Sequence, residues 1–401
     1  MITKDQVLDL LKKLVSIRSP YFHETEIARF VSGWLDERGI VNFIHEFHEA
    51  KVTNFYGNNV IVDIVGDRPG KHIYFNAHLD TVNEPMGWTK DPYDLTIEED
   101  RAYGLGALDM KSGVTAVLLA LGSFIKKNGK DFAGRITCHF VSDEEGPYGL
   151  GTTFLIEEDR IGKPDIAIIT EPSAAFSEEA HPCICLGARG GYNYKIKFFG
   201  VSSHAATPDK GVSALIDAAK AALAIEDLEL LEDPDLKKGS SVVIRLSSGK
   251  DACSVPDRAE LEVFRHTVRG ESQETIFEEI RSALSKIAIR SRYEIEFREA
   301  ATPSFDGGFI PYFYPNEGLI REFVDSIEET TGKVISESFF SSIGDFNHIG
   351  GMLGIPTVIF GANGRNFHSM DEYVEIETVV DVANSIEHFL NKVLCIGCTT
   401  I

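Results

Sequence analysis

His72-Ile73-Tyr74-Phe75-Asn76-Ala77-His78-Leu79-Asp80-Thr81-Val82 begins as a β-prone apolar run and ends on His78-Leu79-Asp80. The run predicts a strand ending near His78. In open α/β sheets, ligands bind beyond the carboxyl ends of the strands. An imidazole and a carboxylate one residue apart at such an end are placed to hold something there. Asp80 is also placed to fix the tautomer of His78, as a metal-ligating histidine requires. Alone, a His-x-Asp at a strand end is more often structural or incidental. Its weight comes from what recurs along the chain.

Outward from this stretch, apolar groups at helical spacing predict helices over 4–16 and 24–38, with Gly39 as the stop. Strands are expected at 59–65 and 72–78, split by Gly66 and Pro69-Gly70, then a hairpin over 95–106. A helix follows from about Ser112 to Lys127, with Asp109 just before its start. The strand 135–142 runs into Asp143-Glu144-Glu145-Gly146, and after a helix at 150–158 the strand 165–170 runs into Glu171-Pro172. Three adjacent acids repel one another, so that loop is either well solvated or neutralised by a cation. Strands that alternate with helices predict an α/β domain with a largely parallel sheet.

The pattern changes at Gly187. Strand 192–199, helix 212–230, strands 241–247 and 259–267, helix 272–288 and strand 293–298 give the order βαββαβ, a ferredoxin-like unit. The first pattern resumes after Pro303, with helix 317–330, strand 356–360, a Gly-rich loop and helix 376–394. The expected organisation is therefore a catalytic domain in two segments, 1–186 and 301–401, with a lid domain inserted at 187–300.

Composition narrows the partners. The 401-residue chain carries a formal charge of −23, which disfavours nucleic acid and anionic membranes. No signal-peptide pattern is visible at Met1 and no apolar run is long enough to span a bilayer. Cysteines 138, 183, 185, 253, 395 and 398 lack a secreted-scaffold spacing, and Cys395-Ile-Gly-Cys398 has no second pair to complete a zinc site. Free thiols in a reducing cytoplasm are the expectation, with a terminal disulfide as the alternative.

The strand-end polar residues are His78, Asp80, Asp109, Glu144, Glu145 and Glu171, joined by His368 from the Gly-rich loop. Two imidazoles with several carboxylates and no thiolate suit zinc or another borderline divalent ion; magnesium or calcium would favour oxygen alone. One Asp between two His-plus-carboxylate sets could bridge two metals, with one acid left over as general base.

The motifs His78-Leu79-Asp80, Gly104…Asp109-Met110-Lys111, Asp143-Glu144-Glu145-Gly146, Glu171-Pro172 and His368-Ser369 occur in an order that resembles one family. It is the co-catalytic metallo-amidohydrolases that include acetylornithine deacetylase, succinyl-diaminopimelate desuccinylase, aminoacylase and glutamate carboxypeptidase. The resemblance spans nearly the whole chain. It implies a zinc-peptidase-like catalytic domain, an inserted lid through which two chains dimerise, and two divalent ions, zinc first with cobalt or manganese as alternatives. Carried over by position, Asp109 bridges the metals, His78 and Glu171 complete one site, Glu145 and His368 the other. Glu144 is the general base and Asp80 orients His78. The resemblance also implies a cis peptide after Asp109. His204, in Gly200-Val201-Ser202-Ser203-His204, would reach the partner's active site to stabilise an oxyanion.

The chain departs from the family in three places. Gly104-Leu105-Gly106 stands for Gly-Arg-Gly, and Ser112-Gly113 stands for Gly-Gly. In the lid, Phe264 replaces an Asp, leaving Arg265 before His266. Arg265 and Arg365 are the candidates for binding a substrate carboxylate. The expected activity is hydrolysis of an amide bond beside a free carboxylate, on an N-acyl amino acid or short peptide. A deacylase is the first version and an exopeptidase, a carboxypeptidase or dipeptidase, the second. An inactive binding or scaffold relative would lack a ligand or the base, and all are present.

Overall fold

A computed structural model describes residues 1–146, 148–249 and 251–395; Cys398, named above, lies outside the described residues. The chain folds into two units, one of residues 1–188, 301–304 and 313 onward, the other of Arg189–Ala300 and Phe305–Tyr312.

In the first unit the apolar run around His78 is the middle of the sheet. Strand Arg68–His78 pairs in parallel with Ala133–Val141 on one side and Ile166–Ile169 on the other. Thr357–Ile359 continues in parallel beyond Ile166–Ile169, while Phe55–Val65 and Asn42–Glu49 complete the far edge antiparallel. Burial explains the composition: residues 73–78 are all buried, so both faces of the strand are covered and the sequence is a continuous apolar run rather than an alternation. Register then sets the site. His78 lies beside Val141 and Ile169 beside Asn76, so three strands end at nearly one level.

Helices cover the sheet with their apolar stripes. Ile376–Leu394 buries Val379, Val382, Ala383, Ile386, Phe389, Leu390 and Val393, a spacing of three and four residues. Lys4–Val15 starts with a capping box between Thr3 and Gln6, and Lys111–Asn128 has its first eight residues wholly buried. Each such large apolar side chain contributes about 1.5–3 kcal/mol on burial.

The second unit is the expected βαββαβ. Its antiparallel sheet runs Ser240–Ser248, Arg258–Thr267, Gly190–Phe199, Arg292–Phe297, with Gly308–Phe309 also pairing against Gly190–Phe199. Ala214, Ala218, Ala221 and Ile225 of one helix and Ile276, Ile280 and Leu284 of the other pack on Tyr194, Ile196, Phe198, Leu261 and Val263.

Cysteines 138, 183, 185 and 253 are free thiols. No helix among the described residues is long and apolar enough to cross a membrane.

Candidate active site

The common ending of the central strands brings His78, Asp80, Glu144, Glu145 and Glu171 together, the turn before helix Lys111–Asn128 adds Asp109, and the loop after Thr357–Ile359 adds His368. The peptide between Asp109 and Met110 is cis. Asp109 Oδ1 lies 3.3 Å from His78 Nε2, and Asp109 Oδ2 lies 3.4 Å from His368 Nε2. Glu171 Oε1 is 3.3 Å from His78 Nε2, and Glu145 Oε2 is 2.8 Å from His368 Nε2. Glu144 Oε2 stands farther from His78 Nε2, at 3.8 Å. Two sets of ligand atoms, His78–Asp109–Glu145 and His78–Glu144–Glu171, each fall within 4.8 Å of one another.

The donor chemistry calls for cations. His78 Nδ1 lies 3.0 Å from the Asp80 carbonyl oxygen, which can only accept, so the Nδ1 hydrogen is committed there. A neutral ring would then turn its Nε2 lone pair toward carboxylate oxygens at 3.3 Å; burial opposes a charge on the ring, yet Glu171 and Asp109 raise its pKa well above the usual range. Lone pairs repel at this distance unless a proton or a metal sits between them. Burial makes the same demand: Asp80 is 0% and Asp109 5% exposed, and buried carboxylates need a counter-charge. Burial pushes Glu145 up to about 7 and Glu171 up to about 8, with the Asp109 charge adding to both. Burial likewise lifts Glu144 well above the carboxylate range. Burial opposes the Asp109 charge too, but hydrogen bonds from His368 and His78 hold that carboxyl below the ordinary range. Burial opposes protonation of His368, yet its pairing with Asp109 and Glu145 raises it to about 11. The residues present therefore fit divalent ions bound by imidazole and carboxylate.

Asp80 does more than attend to His78. Its Oδ1 is 3.5 Å from His78 Nδ1, whereas its two oxygens accept the backbone N–H groups of Glu144 at 3.2 Å and Glu145 at 2.9 Å. The carboxylate chiefly holds the acidic turn, and the Asp80 carbonyl holds the imidazole.

Arg265 is a correction. It is 2% exposed, and its guanidinium is engaged by Glu271 and by Glu279. A buried guanidinium already shared by two carboxylates fastens the strand Arg258–Thr267 inside its own unit and does not present itself to a substrate. Arg365 is exposed and donates to Gly364 O at 2.8 Å and Asn363 Oδ1 at 3.3 Å, three residues from His368. His204 is exposed in the second unit, and its Nδ1 accepts the Ala206 N–H at 3.1 Å. That bond puts the ring proton of a neutral ring on Nε2.

Two further carboxylates take part that sequence reasoning passed over. Glu24 Oε1 accepts the N–H of Asp143 at 3.0 Å and of Phe22 at 2.9 Å, fixing the start of the acidic turn, where Asp143 has φ +62°. Burial and then the nearby Asp80 push Glu24 up to about 8. Glu372 receives N–H groups from the turn that carries Asp109. Asp345 is buried and accepts the Thr152 hydroxyl at 2.6 Å.

The profile of peptidase family M20/M25/M40 matches residues 74–392. The succinyl-diaminopimelate desuccinylase of Nautilia profundicola is 26% identical over 389 residues, covering 96% of this chain and 99% of the relative. Among solved structures, a tripeptidase from Staphylococcus aureus superposes with TM-score 0.78 at 20% identity, over 98% of this chain and 99% of that one. A dinuclear metal binding peptidase of the M20 family from Bacillus subtilis gives 0.68 at 14% identity, over 97% and 98%. The profile spans most of the chain and so decides its kinship: this protein belongs to peptidase family M20/M25/M40 and is a metal-dependent hydrolase of C–N amide bonds.

Proposed function

We propose that the protein is a dinuclear deacylase that frees an amino acid from an N-acyl group, cutting the amide bond beside a free carboxylate, in the manner of succinyl-diaminopimelate desuccinylase or acetylornithine deacetylase. The observation that carries this reading is Asp109, whose two oxygens face two different imidazoles at 3.3 and 3.4 Å. On this reading Asp109 would be shared by two ions, with His78 and Glu171 completing one site and Glu145 and His368 the other. Zinc suits the donor set, with cobalt or manganese as substitutes. When bound, the ions supply Lewis acidity to the scissile carbonyl and acidify the attacking water.

The remaining work falls to the chain. Glu144, farther from His78 than Glu171 is, keeps its carboxylate for the proton of the attacking water and returns it to the leaving amine. Asp80 fixes where Glu144 stands by holding its N–H and that of Glu145. Arg365 meets the substrate carboxylate. The second unit acts as the dimerisation lid, pairing through the edge strand Ser240–Ser248, where Val242, Ile244 and Leu246 are exposed. His204 then donates from its Nε2 to the oxyanion in the partner's site. The cytoplasm, with its free amino-acid derivatives and reduced thiols, is the proposed location.

The test is metal content together with hydrolysis of a panel of N-succinyl and N-acetyl amino acids, their carboxamide analogues, and dipeptides. The account expects two ions per chain and cleavage of N-acyl amino acids with loss of activity on the carboxamides. Preferential cleavage of dipeptides would make the protein an exopeptidase. A two-metal protein that cleaves nothing would make it a binding relative.

A further inference from the structure

The loop that carries His368 also carries Glu372. Its side chain is 1% exposed, and its oxygens end on one short turn: Oε1 accepts the N–H of Leu108 at 2.8 Å and of Asp109 at 3.0 Å, and Oε2 accepts that of Gly106 at 2.9 Å. The backbone carbonyl of Glu372 takes the N–H of Gly104 at 3.0 Å. Four amides of the segment 104–109 thus terminate on a single residue.

Both ends of this clasp are stiff. Gly106 has φ +73°, a conformation that favours glycine, and a Cβ there would meet Thr81 Cγ2 at 2.5 Å, so the turn packs closely against Thr81. The Lys111 N–H closes it onto Gly106 O at 2.9 Å. On the other side, the Ser369 N–H donates to Asn366 O at 3.0 Å, Asn366 Nδ2 to Asp371 O at 3.1 Å, and the Thr89 N–H to Asp371 Oδ1 at 2.9 Å. His368 itself sits at φ +57°, so its backbone depends on this closed loop. Asp109 and His368 come from turns far apart in the chain, and Glu372 bonds one turn to the other.

We propose that Glu372 is a positioning residue for the metal pair: it sets the distance between Asp109 and His368 and so assembles the site formed by Asp109, Glu145 and His368, without touching metal or substrate. The inference rests on the dinuclear reading above. A purely structural carboxylate would weaken folding and leave the two sites alike. Loss of a clasp between these two turns weakens one site more than the other, because it frees the loop of His368, which serves that site alone. The hold of Asp109 on the second site is backed by His78 and Glu171 from other strands.

The test is metal titration of metal-free wild type, Glu372→Gln and Glu372→Ala, read by calorimetry and by the absorption of cobalt(II), with hydrogen exchange at residues 104–109. Gln keeps one acceptor oxygen and presents an NH₂ where the other stood, so it rescues part of the clasp. The loss of a group supporting a metal ligand typically costs about 10–100-fold in metal affinity. The expected result is weakening of one of two sites by about tenfold in Gln and about a hundredfold in Ala, with the other site within about threefold of wild type. Amides 106, 108 and 109 should exchange faster while those of Ile376–Leu394 do not change. Equal weakening of both sites, or of neither, overturns the proposal; if the Ala chain does not fold, the Gln chain decides by the same criterion. A wild-type chain that binds fewer than two ions sinks the dinuclear reading, and this inference with it.

Discussion

Asp80→Ala separates two roles that the motif His78-Leu79-Asp80 leaves mixed. The carboxylate accepts the N–H groups of Glu144 and Glu145 at 3.2 and 2.9 Å but stands 3.5 Å from His78 Nδ1, whose bond goes to the Asp80 carbonyl. Alanine keeps that carbonyl and removes both acceptor oxygens. Each N–H left without a partner costs about 1–3 kcal/mol, so losing two should cost the variant about 2–6 kcal/mol of stability, toward the lower end if water enters the space. The effect on catalysis should be larger than stability alone suggests, because a displacement of about 1 Å at a reacting group can cost about 10²-fold. Asp80→Asn retains one acceptor and should fall between. The assays are urea unfolding of the metal-free chain, metal affinity and steady-state kcat. The account expects kcat to fall by about 10²-fold while the ion at His78 and Glu171 is retained. Stability within about 0.5 kcal/mol of wild type together with normal kcat would refute the claim that this carboxylate holds the acidic turn.

Glu144→Gln keeps shape but cannot take a proton; kcat should drop by at least about 10²-fold with metal content unchanged, and a live Glu144→Gln chain beside a dead Glu145→Gln chain would exchange the two assignments. For the oxyanion donor, mixed dimers of Glu144→Ala and His204→Ala chains should recover activity from two inactive stocks, since one site then receives Glu144 and a partner's His204; dimers shown to mix without activity would remove His204 from the partner's site. In the second unit, the Arg269 guanidinium hydrogen-bonds Asp233 and, against the effect of burial, holds that carboxyl down at about 2, below its unperturbed 3.8. A lowered folded-state pKa means stability that is present above about 3.8 and lost as pH falls toward 2. The stability difference between wild type and Asp233→Asn in chemical denaturation should therefore shrink from pH 5 to pH 2; a constant difference would show that the pair is not the source.

Much of the site was legible because it is built from strand ends. His78, the acids 143–145 and Glu171 each follow an apolar run, and parallel pairing aligns those ends by register. The βαββαβ order was legible from the same periodicities. Strand Asn42–Glu49 was not read, because its inner positions are His45, Phe47 and Glu49, and two polar residues in three hide the alternation. Glu24 and Glu372 left no local pattern: they act on backbone amides 119 and 263–266 residues away. Arg265 was legible and misread. Ala259, Leu261 and Val263 share its strand parity and face the helices, so the period of two already placed Arg265 inside.

The central claim is that one carboxylate, Asp109, is shared by two ions. Anomalous scattering from zinc-loaded crystals measures this directly. The account predicts two peaks about 3.5–4 Å apart, one against His78 and Glu171, the other against Glu145 and His368, with Asp109 between them. A single peak, or a second peak out of reach of Asp109, would contradict it.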